Sequence, residues 1–340
     1  MNILKLRINI IFILIKESIL EVSKINNSLV ENLLKNERRS VARSISIVES
    51  NNSRSAELLK RIYNRVGNAY RIGITGPPGA GKSTITNQLT KFFRMQNKSV
   101  GIIAVDPTSP FTGGALLGDR IRMTDIGQDP NVFIRSMATR GSLGGLSKKA
   151  NDAADVLDVA GYDYIIMETV GVGQSELDIA QAADTTIVVL VPESGDVVQA
   201  MKAGLMEIAD FFVVNKSDRP SAKQAVSALK TILMMRDHNQ FSWMPNIISA
   251  IASENKGMED IANEIIRHKE YLIQSGKFLE RREHRTKIRI KEIVEDKIRN
   301  KLWSESGKNS LNSWLEKVVL GNLSPYHIAD EIIENFRNQL

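Results

Sequence analysis

The residues with the clearest chemical potential are Gly76-Pro77-Pro78-Gly79-Ala80-Gly81-Lys82-Ser83, followed by Thr84. Glycines at this spacing let the backbone wrap an anion with its N–H groups turned inward. A helix beginning at Lys82 adds the partial positive charge of its N-terminus. Lys82 then supplies a cation for β and γ phosphates, and the Ser83 hydroxyl supplies a hard oxygen for Mg²⁺. The run Arg71-Ile72-Gly73-Ile74-Thr75 before the loop reads as a strand, and Ile85 and Leu89 after it read as one face of a helix. That context is the one a phosphate-binding loop requires.

A second motif chooses the base. Phe211-Phe212-Val213-Val214 is an apolar strand that ends in Asn215-Lys216-Ser217-Asp218, roughly 130 residues beyond the loop. A carboxylate at Asp218 accepts two hydrogen bonds from guanine N1–H and the 2-amino group. Adenine lacks both donors and leaves the charge unpaired. Asn215 either braces the loop or bonds the base edge, and Lys216 is expected over the ring. Ser249-Ala250, at the end of the last apolar run, is expected to complete the pocket through a backbone N–H.

Carboxylates at strand ends supply the metal chemistry. Val100–Val105 ends at Asp106, and Tyr164–Met167 ends at Glu168, before Thr169-Val170-Gly171-Val172-Gly173-Gln174. Mg²⁺ keeps several waters in octahedral ligation, and carboxylates that hold those waters belong beside a phosphate loop. Ser83, Asp106, Asp119 and Glu168 are therefore the expected metal set, with Asp119 alternatively capping a helix over Arg120–Ile126. Gly171 offers its N–H to a γ phosphate. Lys82, Asp106, Glu168 and Gln174 are the expected catalytic residues. Gln174, Arg120, Arg122 and Arg140 are all available to position water or stabilise charge, and the sequence does not rank them. Slow hydrolysis without a partner is the corresponding expectation. The long Gly-rich segment Thr108–Asp119 reads as a lid or switch.

The elements that must hold these residues alternate. Short Ile/Val-rich runs at 71–75, 99–105, 131–135, 163–168, 184–191, 210–214 and 246–249 read as strands. Helical patterns at 82–95, 147–159, 196–206 and 220–236 lie between them. This predicts an α/β domain with a mostly parallel sheet covered by helices on both faces, its ligands at the carboxyl ends of the strands. Residues 1–66 read as a helical N-terminal extension, 67–268 as the nucleotide domain, and 269–340 as a helical C-terminal arm. In that arm Ile290, Ile293, Val294, Ile298 and Leu302 form an apolar stripe suited to another helix.

Composition narrows the partners. The chain has 340 residues, no cysteine, and a net charge of +6. Residues 277–301 hold ten Lys/Arg against five Asp/Glu, a net of +5, so the excess is one basic helix rather than a basic protein. No nucleic-acid partner is expected. The apolar core Ile8–Ile15 is less than half of the roughly 20 residues that span a bilayer, and no small-residue cleavage site follows it. No membrane partner is expected, and a cytoplasmic location suits the absence of cysteine.

Together these motifs resemble the MeaB/ArgK family of P-loop GTPases. The resemblance rests on Gly76–Thr84, Val105-Asp106-Pro107, Ser109–Gly114, Leu117–Arg120, Arg135–Gly141 with Leu143-Gly144-Gly145, Glu168–Glu176, Asn215–Asp218 and Leu323–Tyr326. It spans roughly residues 27–335, and residues 1–24 match nothing in the family. It implies a SIMIBI-type G domain that binds GTP/GDP and Mg²⁺ and dimerises through its C-terminal helices. The implied client is an adenosylcobalamin-dependent acyl-CoA mutase, typically methylmalonyl-CoA mutase, whose cofactor loading and protection are gated by GTP. Isobutyryl-CoA mutase or another cobalamin enzyme is the alternative client. Glu193-Ser194-Gly195-Asp196 through Lys202 would be a further switch. Two other functions compete. A nickel- or zinc-delivery GTPase needs thiolate or histidine ligands near the switches, whereas His238, His268, His284 and His327 all lie beyond them. A non-hydrolysing scaffold sits poorly with intact Lys82, Ser83, Asp106 and Glu168.

Overall fold

The computed structural model describes residues 27–50, 52–107, 125–139, 145–169, 175–192, 204–235 and 242–338. Three helices come first: α1 Asn27–Leu34, α2 Arg38–Glu49 and α3 Ser53–Ile62. Strands and helices then alternate: β1 Tyr70–Thr75, α4 Lys82–Met95, β2 Val100–Pro107, β3 Val132–Thr139, α5 Gly145–Val159 and β4 Tyr164–Thr169. They continue with α6 Ser175–Ala182, β5 Thr185–Leu190, α7 Leu205–Ile208, β6 Phe211–Val214, α8 Ala222–Met234, β7 Ile247–Ser249 and α9 Met258–Gln274. Helices α10 Lys277–Leu302, α11 Glu305–Val319 and α12 Pro325–Arg337 close the chain.

The seven strands form one sheet in the order β3-β2-β4-β1-β5-β6-β7, and every pair is parallel. All seven fall on the apolar runs of the sequence. Strands buried on both faces need apolar side chains at successive positions, which is why those runs are continuous rather than alternating. Ile72, Ile74, Ile166, Ile187 and Val189 share a core with Ile85 and Leu89 of α4 and Ile261 and Ile265 of α9. On the opposite face Ile103, Val105, Ile165 and Met167 meet Ala153, Val156 and Leu157 of α5. Val188, Leu190, Phe212 and Val214 meet Leu205, Leu229 and Leu233. The expected helix over 196–206 lies mostly outside the described residues, with only α7 inside them. Asp125–Gln128 is a turn, and the rest of the expected helix Arg120–Ile126 lies outside the described residues.

The N-terminal helices belong to the same core. Val41, Ile45, Val48, Leu58 and Ile62 pack in one cluster with α5. Arg38 donates to Val132 O at 3.1 Å and to Gly127 O at 3.2 Å, and Arg135 of edge strand β3 pairs with Glu49. A division between two compact units falls after Leu279. In the second unit α11 packs on α12, and Ile328 and Ile332 are buried. Ile290, Val294 and Ile298 of α10 remain 57, 48 and 50% exposed. Among the described residues no helix is long and apolar enough to cross a membrane.

One polar cluster fixes where β1 begins. Arg71 is buried under the sheet, with Nη2 on Asp155 Oδ1 at 2.6 Å and Asp158 Oδ2 at 3.8 Å. Asp158 also accepts the backbone N–H groups of Gly67, Asn68 and Ala69 at 2.8, 3.0 and 3.0 Å. Its carboxylate therefore anchors the chain entering β1 to helix α5. Asp158→Ala strands those three donors and removes one acidic neighbour from Arg71. A loss of about 2–4 kcal/mol is expected in urea denaturation monitored by circular dichroism.

Candidate functional site

The central position of β1 places residues 76–81 at the carboxyl edge, between β4 and β5. Gly76 has φ +136°, and a Cβ there would overlap Val189 O of β5. Gly81 has φ +91° immediately before α4, and a Cβ there would overlap the amide of Asn215. Both positions require glycine, because the loop is pressed against its neighbours and bent into the left-handed region. Lys82 is buried, with Nζ donating to Gly76 O at 2.7 Å and Pro77 O at 2.8 Å. Its charge is thus held on the loop itself. Pro78, Gly79 and Thr84 are exposed.

Ser83 and Glu168 are brought together. Ile74 pairs with Glu168 in the β1–β4 register, and the buried Glu168 accepts the Ser83 hydroxyl at Oε1. Glu168 Oε2 accepts the hydroxyl of Thr86 at 2.8 Å. Thr169 Oγ1 donates to Thr75 Oγ1 at 3.1 Å, tying the two strand ends together. Ala104 pairs with Glu168, so Asp106 stands two residues further along β2, at the same edge of the sheet. Asp119, Gly171 and Gln174 lie outside the described residues, as do Arg120, Arg122, Arg140 and 193–202.

On the base side, Asn215 proves to be a brace. Its Nδ2 donates to Ala80 O at 2.8 Å, and its Oδ1 accepts Ala252 N–H at 3.1 Å. Lys216 adopts φ +56°, which turns the chain sharply after β6. Ser217 N–H then donates to Ala250 O at 3.0 Å, and its hydroxyl donates to Val214 O at 2.6 Å. Asp218 is exposed at the end of this turn. Ser249 is also exposed, but the Ala250 N–H is given to Val214 O at 2.9 Å. Ala250 thus acts as a fastener of the 215–218 turn, with its N–H used in strand pairing. Beyond it, Ile251 and Lys256 form an antiparallel bridge, and Gln88 of α4 reaches Ala252 O at 3.4 Å. Glu254 beside Lys256, at 2.6 Å, holds its ammonium above the ordinary lysine range, with Asp218 adding to the effect.

Thr86 was not singled out by the motifs. The available signal was a hydroxyl residue one turn after Ser83, on the apolar side of α4 that carries Ile85 and Leu89. The donor set fits a hard divalent cation: a serine hydroxyl and a carboxylate in contact, at the mouth of a loop whose Lys82 suits phosphate. In the turn Asn215–Asp218 the Asp218 carboxylate is exposed, while the Asn215 amide that ties the turn to the phosphate loop is buried.

Comparison with known proteins agrees with this arrangement. The profile of the family described as "Methylmalonyl Co-A mutase-associated GTPase MeaB" matches residues 41–307. A relative from Pyrococcus abyssi is 47% identical over 310 residues, covering 91% of this chain and 96% of that one. GTPase ArgK of Escherichia coli is 36% identical over 282 residues, covering 81% and 85% respectively. The mitochondrial methylmalonic aciduria type A homolog of Mus musculus is 32% identical over 333 residues, covering 92% and 79%. A solved structure titled as a LAO/AO transport system kinase superposes with a TM-score of 0.69 at 29% identity, covering 92% of this chain and 99% of that one. With a phosphate loop, a strand-end carboxylate on its serine and a braced guanine turn in one site, the chain belongs to the MeaB family of P-loop GTPases.

Proposed function

We propose that this chain is a GTP-hydrolysing switch whose nucleotide state gates adenosylcobalamin loading and protection of a cobalamin-dependent acyl-CoA mutase, most directly methylmalonyl-CoA mutase. The observation that carries the nucleotide half is Asn215, which joins the guanine turn to Ala80 of the phosphate loop. Base recognition and phosphate binding are thereby parts of one rigid unit. The client half is supported by the family description and by the name of the mouse relative.

In this reading Gly76–Thr84 cradle the phosphates and Lys82 leaves its loop carbonyls for the β and γ oxygens. Ser83, Asp106, Asp119 and Glu168 hold Mg²⁺ and its waters. When bound, the cation neutralises charge developing on the phosphates. Gly171 and Gln174 follow β4, where a γ phosphate couples to the loop and a water is oriented. Asp218 reads guanine N1–H and the 2-amino group. Residues 67–268 form the nucleotide domain, with 1–66 as its extension and 269–340 as a dimerisation arm. The exposed stripe Ile290, Val294 and Ile298 supports the arm as the seat of a second copy.

Partner-free GTP turnover is expected below about 1 s⁻¹, at the slow end of enzymes. Lys82→Ala abolishes it, as read by phosphate release. Base selection has its own test. Inosine triphosphate, which lacks the 2-amino group, should bind the unaltered chain at least about tenfold more weakly than GTP. Asp218→Ala should erase that difference, and equal discrimination by the variant rejects the assignment. For the client, the chain immobilised with a non-hydrolysable GTP analogue or with GDP is expected to retain a purified cobalamin mutase to different extents. Equal or absent retention in both states rejects the gating role.

A further inference from the structure

Thr86 has no assigned part in nucleotide chemistry, yet it holds a residue that does. It lies fully buried one turn beyond Ser83 on α4, and its hydroxyl donates to Glu168 Oε2 at 2.8 Å. The Ser83 hydroxyl takes Oε1 of the same carboxylate. Hydroxyls on successive turns of one helix therefore grip both oxygens. A helical threonine ordinarily gives its hydroxyl to the carbonyl one turn back. Thr90 on the same helix does this, to Thr86 O at 2.7 Å. Thr86 instead reaches across to β4.

The terminal torsion of a glutamate is broad and roughly two-fold, so one hydrogen bond leaves the carboxylate free to swing. Two fix its plane. The consequence passes to Ser83, whose single proton points wherever Glu168 Oε1 stands, and whose lone pairs take the remaining directions. We propose that Thr86 is a positioning residue of the divalent-cation site, acting through Glu168 to aim the Ser83 oxygen and to hold the carboxylate for metal-bound water. This rests on the GTP–Mg²⁺ reading above.

The test uses the full chain carrying Thr86→Val, which keeps shape and loses the hydroxyl, and Thr86→Ser, which keeps the hydroxyl. The readouts are release of a fluorescent GDP analogue as free Mg²⁺ is varied, and Mn²⁺ binding followed by electron paramagnetic resonance. Thr86→Val should raise the cation midpoint about tenfold or more, as loss of an outer partner of a metal ligand does. Its nucleotide affinity in EDTA should not change, and Thr86→Ser should restore the midpoint. In a Glu168→Gln background the effect of Thr86→Val should disappear. A wild-type midpoint in Thr86→Val overturns the inference. So does Thr86→Ser impaired as much as Thr86→Val, which assigns the effect to packing; this comparison also decides if the valine variant is unstable. Nucleotide release from the unaltered chain that ignores Mg²⁺ overturns the GTP–Mg²⁺ reading itself, a different result from a normal chain with indifferent variants.

Discussion

Asn215 is buried at the end of β6, where its amide must find partners among fixed backbone groups. One hydrogen bond goes to Ala80 in the phosphate loop and one comes from Ala252 beyond β7. The side chain thus spans three segments distant in sequence, and Gly81 is forced to be glycine because the amide lies against it. An unsatisfied buried amide is costly, so the three segments are held together as strongly as the amide resists being stranded. The phosphate loop, the guanine turn and the loop after β7 then move as one piece. Everything else in the site is placed relative to that piece.

The second tie runs to β4. Ser83 and Thr86 fasten Glu168 to α4, while Thr169 bonds Thr75. The end of β4 is thereby fixed to the phosphate loop and to the end of β1.

The sheet was legible because strands covered on both faces read as unbroken Ile/Val runs, and every run became a strand. The phosphate loop and guanine turn were legible because their chemistry needs fixed residue types at fixed spacing. Long-range choices were not. Asn215 was expected to brace the loop or to bond the base edge, and the partners of the bracing role, Ala80 and Ala252, lie far from it in sequence. Ser249-Ala250 was expected at the base through a backbone N–H, and the pairing of the Ala250 N–H with Val214 O is a partnership that local pattern does not reveal. Nor does local pattern show that Arg38 and Glu49 would meet the β3 strand, since those partners are 94 and 86 residues away. Thr86 was hidden for a similar reason: on a helix face rich in apolar residues, a threonine looks like filler until the opposing strand is known.

The docking of α2 and α3 on α5 bears on how the protein can be divided. A chain cut just before β1 would keep every nucleotide-binding residue. It would also uncover the α5 surface now met by Val41, Ile45, Val48, Leu58 and Ile62. The carbonyl of Val132, now met by Arg38 on the outermost strand, would lose that donor. An exposed apolar face beside an open strand is a recipe for self-association. A GTPase trimmed to its motifs would therefore be expected to keep its nucleotide chemistry and lose its solubility.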